Sequence, residues 1–311
     1  MRVLSFNGES WREQDLKAEG LRAQVTEDRL TWVRAVGLSA DDVERLGADF
    51  GIHPLAVEDA MTERQRPKVE DYPALTFVVV RVPRWDDDLT WHHIGLALGP
   101  DYLMTISSEP LPELDVMQAR LLTKSSIQSA DRLLHMALDF MVDAWFPYLD
   151  ELEAYIEEIE DEASRTPTPA TLARIREMKS VVARTRKVTA PMREAMLSLE
   201  RAPHPNVHDD ARLYLRDVSD HMVRLAERLE HVKEMTLIAQ ETWNASLANS
   251  QNHAMKRLTV IFALFLVPTF LAGLGGMNFE GVPDWSFQHV ALALFGIVAI
   301  GLGVSLWKRW L

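Results

Sequence analysis

Two runs near the C-terminus constrain this chain more than anything else in it. Leu258 to Met277, LTVIFALFLVPTFLAGLGGM, is 20 residues without a charge, and His289 to Trp307, HVALALFGIVAIGLGVSLW, is 19 more. A bilayer core about 30 Å thick needs about 20 apolar residues in a helix, so both runs are expected to span a membrane. A buried helical hairpin in a soluble core is the competing reading; two charge-free runs of this length, both with basic flanks, argue against it. Lys256 and Arg257 precede the first run and Lys308 and Arg309 follow the second. The connecting residues 278–288 hold Glu280 and Asp284 but no lysine or arginine. Basic residues stay on the cytoplasmic side, so a multi-pass protein of the cell's inner (plasma) membrane is expected, with both termini cytoplasmic and the loop outside. Trp285, Trp307 and Trp310 suit the two interfaces.

Residues 1–257 then form a large part outside the bilayer. The net charge of −13 argues against a nucleic-acid partner. With no cysteine in the chain, disulfides and thiolate metal sites are excluded, and any metal must be held by oxygen or histidine. The start, MRVLSFNGES, has no apolar run behind a basic flank and does not read as a signal peptide. There is no phosphate loop, HExxH motif or nucleophile elbow, so neither an enzyme nor an organic cofactor is expected. His92 and His93 fall in a strand pattern and point to opposite faces, which fits strand alternation better than a metal site.

The fold class expected is an α+β cytoplasmic domain, then long helices, then the two-helix transmembrane hairpin, with domains at 1–125, 126–257 and 258–311. In the first, strands are predicted at Arg2–Phe6, Leu30–Val36, Leu75–Val82, His92–Leu98 and Tyr102–Ser107, rich in β-branched and aromatic residues, and helices at Ala40–Phe50 (capped by Ser39) and Pro54–Ala60. The sheet should be largely antiparallel. In the second, one helical run is predicted from Ser129 to Ala163 and another from Ala170 to Arg201. The first carries an acidic tip at residues 150–162 and the second many basic residues. These charges either face each other across a hairpin or also collect divalent cations; both readings stay open.

From about His208 no proline or glycine interrupts the chain until Pro268. Leu215, Val218, Met222, Leu225, Leu229 and Val232 follow the 3,4 spacing of a coiled-coil seam. At about 1.5 Å per residue, residues 208–277 would reach about 105 Å as one helix. Such a stalk must bury its seam on another subunit or on the preceding hairpin.

A long helix entering a membrane span that ends in Gly276-Met277-Asn278, an acidic loop, and a second span with a basic tail closely resemble the CorA family of magnesium channels, whose signature is Gly-Met-Asn. The stretch HPLAVEDAMTERQRPKVEDYPALTFVVVR, residues 53–81, is similar to the family's N-terminal region. The resemblance implies a funnel-shaped homopentamer in the lipid bilayer, with the first membrane helix lining one pore. It implies uptake of divalent cations, Mg2+ and also Co2+ and Ni2+, down the membrane potential. It places Gly276, Met277 and Asn278 at the filter, Asn252 and Thr269 on the pore face, and Met255, Leu258 and Leu266 in a narrow apolar stretch. It also implies closure by cytoplasmic Mg2+ held between protomers, at positions matching Asp217 and Asp86, with Asp87 and Asp88 as adjacent substitutes; the competing reading is that Asp217 solvates the stalk or pairs with a neighbour such as Arg216.

Asparagine at the mouth has a physical reason. Mg2+ sheds water reluctantly and prefers octahedral oxygen, and a ring of side-chain carbonyls can hydrogen-bond its hydration shell without holding the ion too tightly to leave. The same asparagine can cap the helix behind Gly275 and Gly276. Repeated around a ring, Glu280 and Asp284 would concentrate cations; alone, they solvate a loop. The family's ZntB-like zinc relatives usually carry Val where this chain has Met277, so Met277 leans toward magnesium. A ZntB-like zinc transporter and a membrane-anchored coiled-coil scaffold without transport remain the alternatives.

Overall fold

The computed structural model describes residues 1–15, 20–24, 30–63, 65–85, 89–124, 127–276 and 287–308. They form two compact units: Met1–Ile159 with Ala173–Leu237, and Glu160–Leu172 with Ile238–Leu311.

The first unit is built on a sheet of β1 Arg2–Phe6, β2 Trp11–Asp15, β3 Leu30–Val36, β4 Lys68–Tyr72, β5 Leu75–Trp85, β6 Leu89–Leu98 and β7 Tyr102–Ser107. Its order is β2-β1-β3-β7-β6-β5-β4. Neighbours are antiparallel except β3 and β7, which run parallel from the pair Thr31/Tyr102 to Val36/Ser107. Helices α1 Leu21–Gln24, α2 Ala40–Phe50 and α3 Pro54–Met61 precede β4, and α4 Pro112–Lys124 follows β7. The central strands are buried on both faces. Phe77 and Val79 join Val43, Leu46 and Val57 of α2 and α3 in one core, while Val78 and Val80 between them are equally buried. This is why β5 reads as the near-continuous apolar run LTFVVV rather than as an alternation.

Local chemistry sets the element ends. The Ser39 hydroxyl accepts from the Asp42 amide at the start of α2, and Gly51 closes that helix at φ 69°, a conformation that favours glycine. Pro54 starts α3 behind His53, where its missing N–H leaves no bond unmade. The sequence pattern does not reveal β2 and β4. Both are polar edge strands, WREQD and KVEDY, and polar edges discourage pairing with other chains.

Two helices replace the single one predicted from Ser129 to Ala163: α5 Ala130–Asp143 and α6 Trp145–Arg165. Pro147 explains the break, because its ring clashes with the carbonyl four residues earlier, at Asp143, but is tolerated in a helix's first turn. Next come α7 Pro169–Arg201 and α8 Asp209–Gly275, the latter 67 residues long. Within the first unit α8 packs on its own chain. Arg228 binds Asp150 and Glu153 of α6 at 2.7 and 2.6 Å, and Arg186 of α7 binds Glu230 at 3.0 Å. The seam residues Leu215, Val218, Met222, Leu225, Leu229 and Val232 are each at most 3 % exposed.

The second unit holds the end of α6, the start of α7, the rest of α8 and α9 Phe287–Trp307. The Trp243 indole donates to the Thr168 carbonyl at 3.0 Å, and the Ser246 hydroxyl to that of Ser164 at 3.3 Å. The end of α8 and all of α9 are long and apolar enough to cross a membrane, and their large side chains stand exposed.

Candidate ion pathway and candidate metal centre

The apolar end of α8 has two distinct faces. At about 100° per residue counted from Asn252, Met255, Leu258, Leu266 and Thr269 fall with it in a sector of roughly 240–360°. Val260, Leu264, Val267 and Pro268 fall at roughly 60–160°, with Ala263 at the margin. The second face meets α9 across a cavity of about 350 Å³ lined by Val298, Gly301 and Ser305. A Cβ on Gly301 would lie 2.8 Å from Leu264 Cδ2, so the two helices approach closely there. The first face points away from α9. Met255, Leu258 and Leu266 on it are 47–67 % exposed.

Polar chemistry on the exposed face is sparse and oriented. The Thr269 hydroxyl donates to the Phe265 carbonyl at 2.7 Å. Its proton is thereby committed to the helix, which turns its oxygen lone pairs outward as acceptors. Phe262 falls in the same sector, at roughly 280°, and is 66 % exposed; the sequence reading missed it because a phenylalanine in an apolar run carries no distinguishing signal. Gly276 closes α8, its amide donating to the Ala272 carbonyl at 3.0 Å. Met277, Asn278, Glu280, Asp284 and Asp86 lie outside the described residues.

A second constellation sits in the first unit. Asp139 and Asp143 are one turn apart on α5, and Asp217 and His221 are one turn apart on α8, so each pair shares a helix face. His221 Nδ1 lies 3.0 Å from Asp143 Oδ1 and 3.9 Å from Asp139 Oδ1. Its Nε2 lies 3.8 Å from Asp217 Oδ1. The ligand atoms of Asp139, Asp143 and His221 come within 4.8 Å of one another, and among the described residues this is the group of three that could hold a metal ion. Burial pushes the Asp139 carboxyl above its ordinary value, and the carboxylates of Asp143 and Asp217 push the same way. A bound divalent cation would relieve that repulsion. The donor set fits the ions at issue: Mg2+ binds through one or two carboxylates while keeping several waters, and an imidazole also suits Co2+ or Ni2+.

Sequence reasoning named Asp217, which approaches His221 through the other ring nitrogen and is not one of the three, and did not name Asp139, Asp143 or His221. The available signal was the pair of spacings D-x-x-x-D and D-x-x-x-H in DFMVD and DVSDH, which is common on solvated helices. Arg216, the neighbour that could have occupied Asp217, pairs with Glu200 instead, at 3.5 Å. Within the first unit the acidic end of α6 is partly neutralised: Arg174 binds Glu158 at 2.9 Å and its guanidinium lies 4.9 Å from the Tyr155 ring centroid.

Residues 27–308 match the model of the family described as CorA-like Mg2+ transporter protein. The chain is 30 % identical to the cobalt/magnesium transport protein CorA of Thermotoga maritima, over 99 % of this chain and 92 % of that one. It is 24 % identical to the zinc transport protein ZntB of Yersinia enterocolitica, over 83 % of this chain and 81 % of that one. Its fold is similar to the complete structure of the CorA magnesium transporter from Methanocaldococcus jannaschii, with a TM-score of 0.79 at 17 % identity, covering 99 % of this chain and 96 % of that one.

Proposed function

This chain belongs to the family of CorA-like Mg2+ transporters, and we propose on that premise that it forms a homopentameric channel whose pore is lined by α8. It is a CorA-type transporter of Mg2+ and Co2+. One observation carries the pore assignment: the face bearing Asn252, Met255, Leu258, Leu266 and Thr269 points away from α9, the only other membrane-spanning helix among the described residues. Two helices per chain cannot enclose a water-filled path, so that face must meet copies of itself around an axis. Asn252 and Thr269 then offer oxygens to a hydrated ion, and Met255, Leu258, Phe262 and Leu266 form a constriction that conducts only when wetted.

Asn278, with Gly276 and Met277, forms the filter at the outer mouth, and Glu280 and Asp284 make that mouth negative. Both termini are cytoplasmic, in the inner membrane. Inward flow is driven by the membrane potential, worth roughly 4–5 kcal/mol per 100 mV for a divalent ion. Cytoplasmic Mg2+ closes the channel by binding at Asp217, which stands beside Asp139, Asp143 and His221; Asp86 of a neighbouring protomer completes the regulatory site.

The test is ion flux into liposomes holding the purified protein, with Mg2+, Co2+, Ni2+ and Zn2+ compared. Asn278→Ala is expected to remove most Mg2+ flux with oligomer size retained; wild-type flux in a correctly assembled variant would sink the filter role. In the same assay, neutralising Glu280 and Asp284 together should lower apparent cation affinity most at low salt, where screening is weakest. Zn2+ flux driven by a proton gradient, without Mg2+ flux, would favour the ZntB-like alternative.

A further inference from the structure

On a chain of net charge −13, one groove of the first unit is strongly basic. It lies along α7 and α8 and has a volume of about 810 Å³, within the ~300–1,000 Å³ of small-molecule sites. Arg66, Lys179, Arg186, Lys187 and Lys233 line it. Two carboxylates stand among these cations: Glu194 binds Arg66 at 3.0 Å, and Glu230 is shared by Arg186 at 3.0 Å and Lys233 at 2.6 Å. The side chains of Arg66 and Arg186 remain 69 % and 60 % exposed, so their guanidinium edges stay open to a further anion. Among the described residues that line the groove, cations outnumber the carboxylates seen paired with them.

The floor is different in kind. Val182, Ala183, Ala190 and Pro191 line it, with Val182 only 5 % exposed. Pro191 sits inside α7, where it supplies no N–H to the Lys187 carbonyl. Thr236 and the half-exposed Leu237 of α8 complete the lining, and an apolar floor of this kind accepts a flat ring. A rim of two arginines and several lysines matches phosphate oxygens, the arginines as planar forks and the lysines as point charges.

We propose that this groove binds a soluble polyphosphate carried on a planar apolar ring, the class of the nucleoside triphosphates. The ring lies on the Val182–Pro191 floor and the phosphates reach Arg66, Arg186, Lys187 and Lys233. The Mg2+-free form carries more negative charge and binds more tightly than the Mg2+ complex. Occupancy therefore rises as Mg2+ falls, and the ligand ties α7 to α8. The binding claim stands apart from the transport reading.

Equilibrium dialysis of the full-length protein in detergent against ATP, with and without Mg2+, tests this. Saturable binding is expected, tighter without Mg2+. Lys187→Glu and Lys233→Glu should each weaken it by about tenfold or more, the size of a lost charge-assisted contact, and Lys187→Gln by less. Oligomer size and helix content, measured alongside, should be unchanged. Inorganic triphosphate should compete several-fold more weakly than ATP. Absence of saturable binding overturns the proposal, as does equal binding by the wild type and both charge-reversed variants. Competition by inorganic triphosphate as strong as by ATP removes the role of the floor and overturns the nucleoside class. Capture by phosphatidylglycerol vesicles that depends on Lys187 and Lys233 and that ATP does not relieve assigns the groove to a lipid surface instead.

Discussion

Two stretches of the same helix meet opposite fates. Between Leu215 and Val232, α8 buries every seam residue to 3 % exposure or less against its own chain. Between Phe262 and Phe270, the same helix leaves Phe262, Phe265, Leu266 and Phe270 at 64–72 % exposure. Both stretches hold large apolar side chains, but the first interleaves them with charges such as Asp217, Arg224 and Glu227 while the second carries none, and their partners differ as well. The first stretch has α5, α6 and α7 to pack on, and it needs no second copy to bury its seam. Among the described residues the second has only α9, which covers one face. The demand for further copies and for lipid therefore falls on the apolar end of α8, although the heptad pattern that first hinted at an oligomer lies in the other stretch.

The hardest way to break this comparison is to truncate each side. Leu225→Ala empties a fully buried position and should cost about 2–5 kcal/mol, read as a lower midpoint of denaturation of the purified protein. Phe262→Ala, exposed on the outward face, should leave that midpoint nearly unchanged and raise Mg2+ leak through the constriction. Equal midpoint losses at the two sites would erase the distinction.

A smaller effect is expected at Asp131, which ties the start of α5 to the start of α8. Burial alone would raise its pKa, but the Ser129 hydroxyl and the His208 amide and ring hold it below the ordinary 3.8. A carboxyl depressed in the folded state stabilises above its unfolded pKa, and that contribution is lost as pH falls through the folded value. Asp131→Ala should cost about 1–3 kcal/mol at neutral pH, and the difference from wild type should shrink as pH drops below about 4. A difference that does not change with pH would assign the loss to packing alone.

The metal constellation should add to stability only when the ion is present. Mg2+ or Co2+ should protect the wild type from proteolysis within α8 by about 1–3 kcal/mol of mass-action stabilisation at ion concentrations well above Kd. Asp139→Asn combined with Asp217→Asn should remove most of that protection and leave metal-free stability equal or slightly higher, since it relieves carboxylate repulsion. Undiminished protection in the double variant would move the sensor to the acidic end of α6.

The strands β1, β3, β5, β6 and β7, both membrane helices and the buried seam were legible in the sequence because each repeats a simple pattern over many residues. The polar edge strands β2 and β4 were not, since an edge strand has little hydrophobic signature. The single helix expected from Ser129 to Ala163 breaks before Pro147, where a local steric rule prevails over the long periodic pattern. In the candidate sites, Asn252, Met255, Leu258, Leu266 and Thr269 share one outward face, as 3.6-residue spacing allows. Asp139, Asp143 and His221 were invisible because their meeting depends on how α5 packs against α8, which no local spacing encodes.

The central claim is that the outward face of α8 lines the ion path while the opposite face only packs on α9. The chain has no cysteine, so single cysteines can be introduced without background. Mg2+ flux into liposomes would be recorded before and after a positively charged, membrane-impermeant thiol reagent, with cysteine at Met255, Leu266 or Thr269 and, on the other face, at Val260 or Val267. Modification is expected to block flux at the first three positions and to leave it intact at the last two. Block at Val260 and Val267 with none at Met255, Leu266 and Thr269 would contradict the claim.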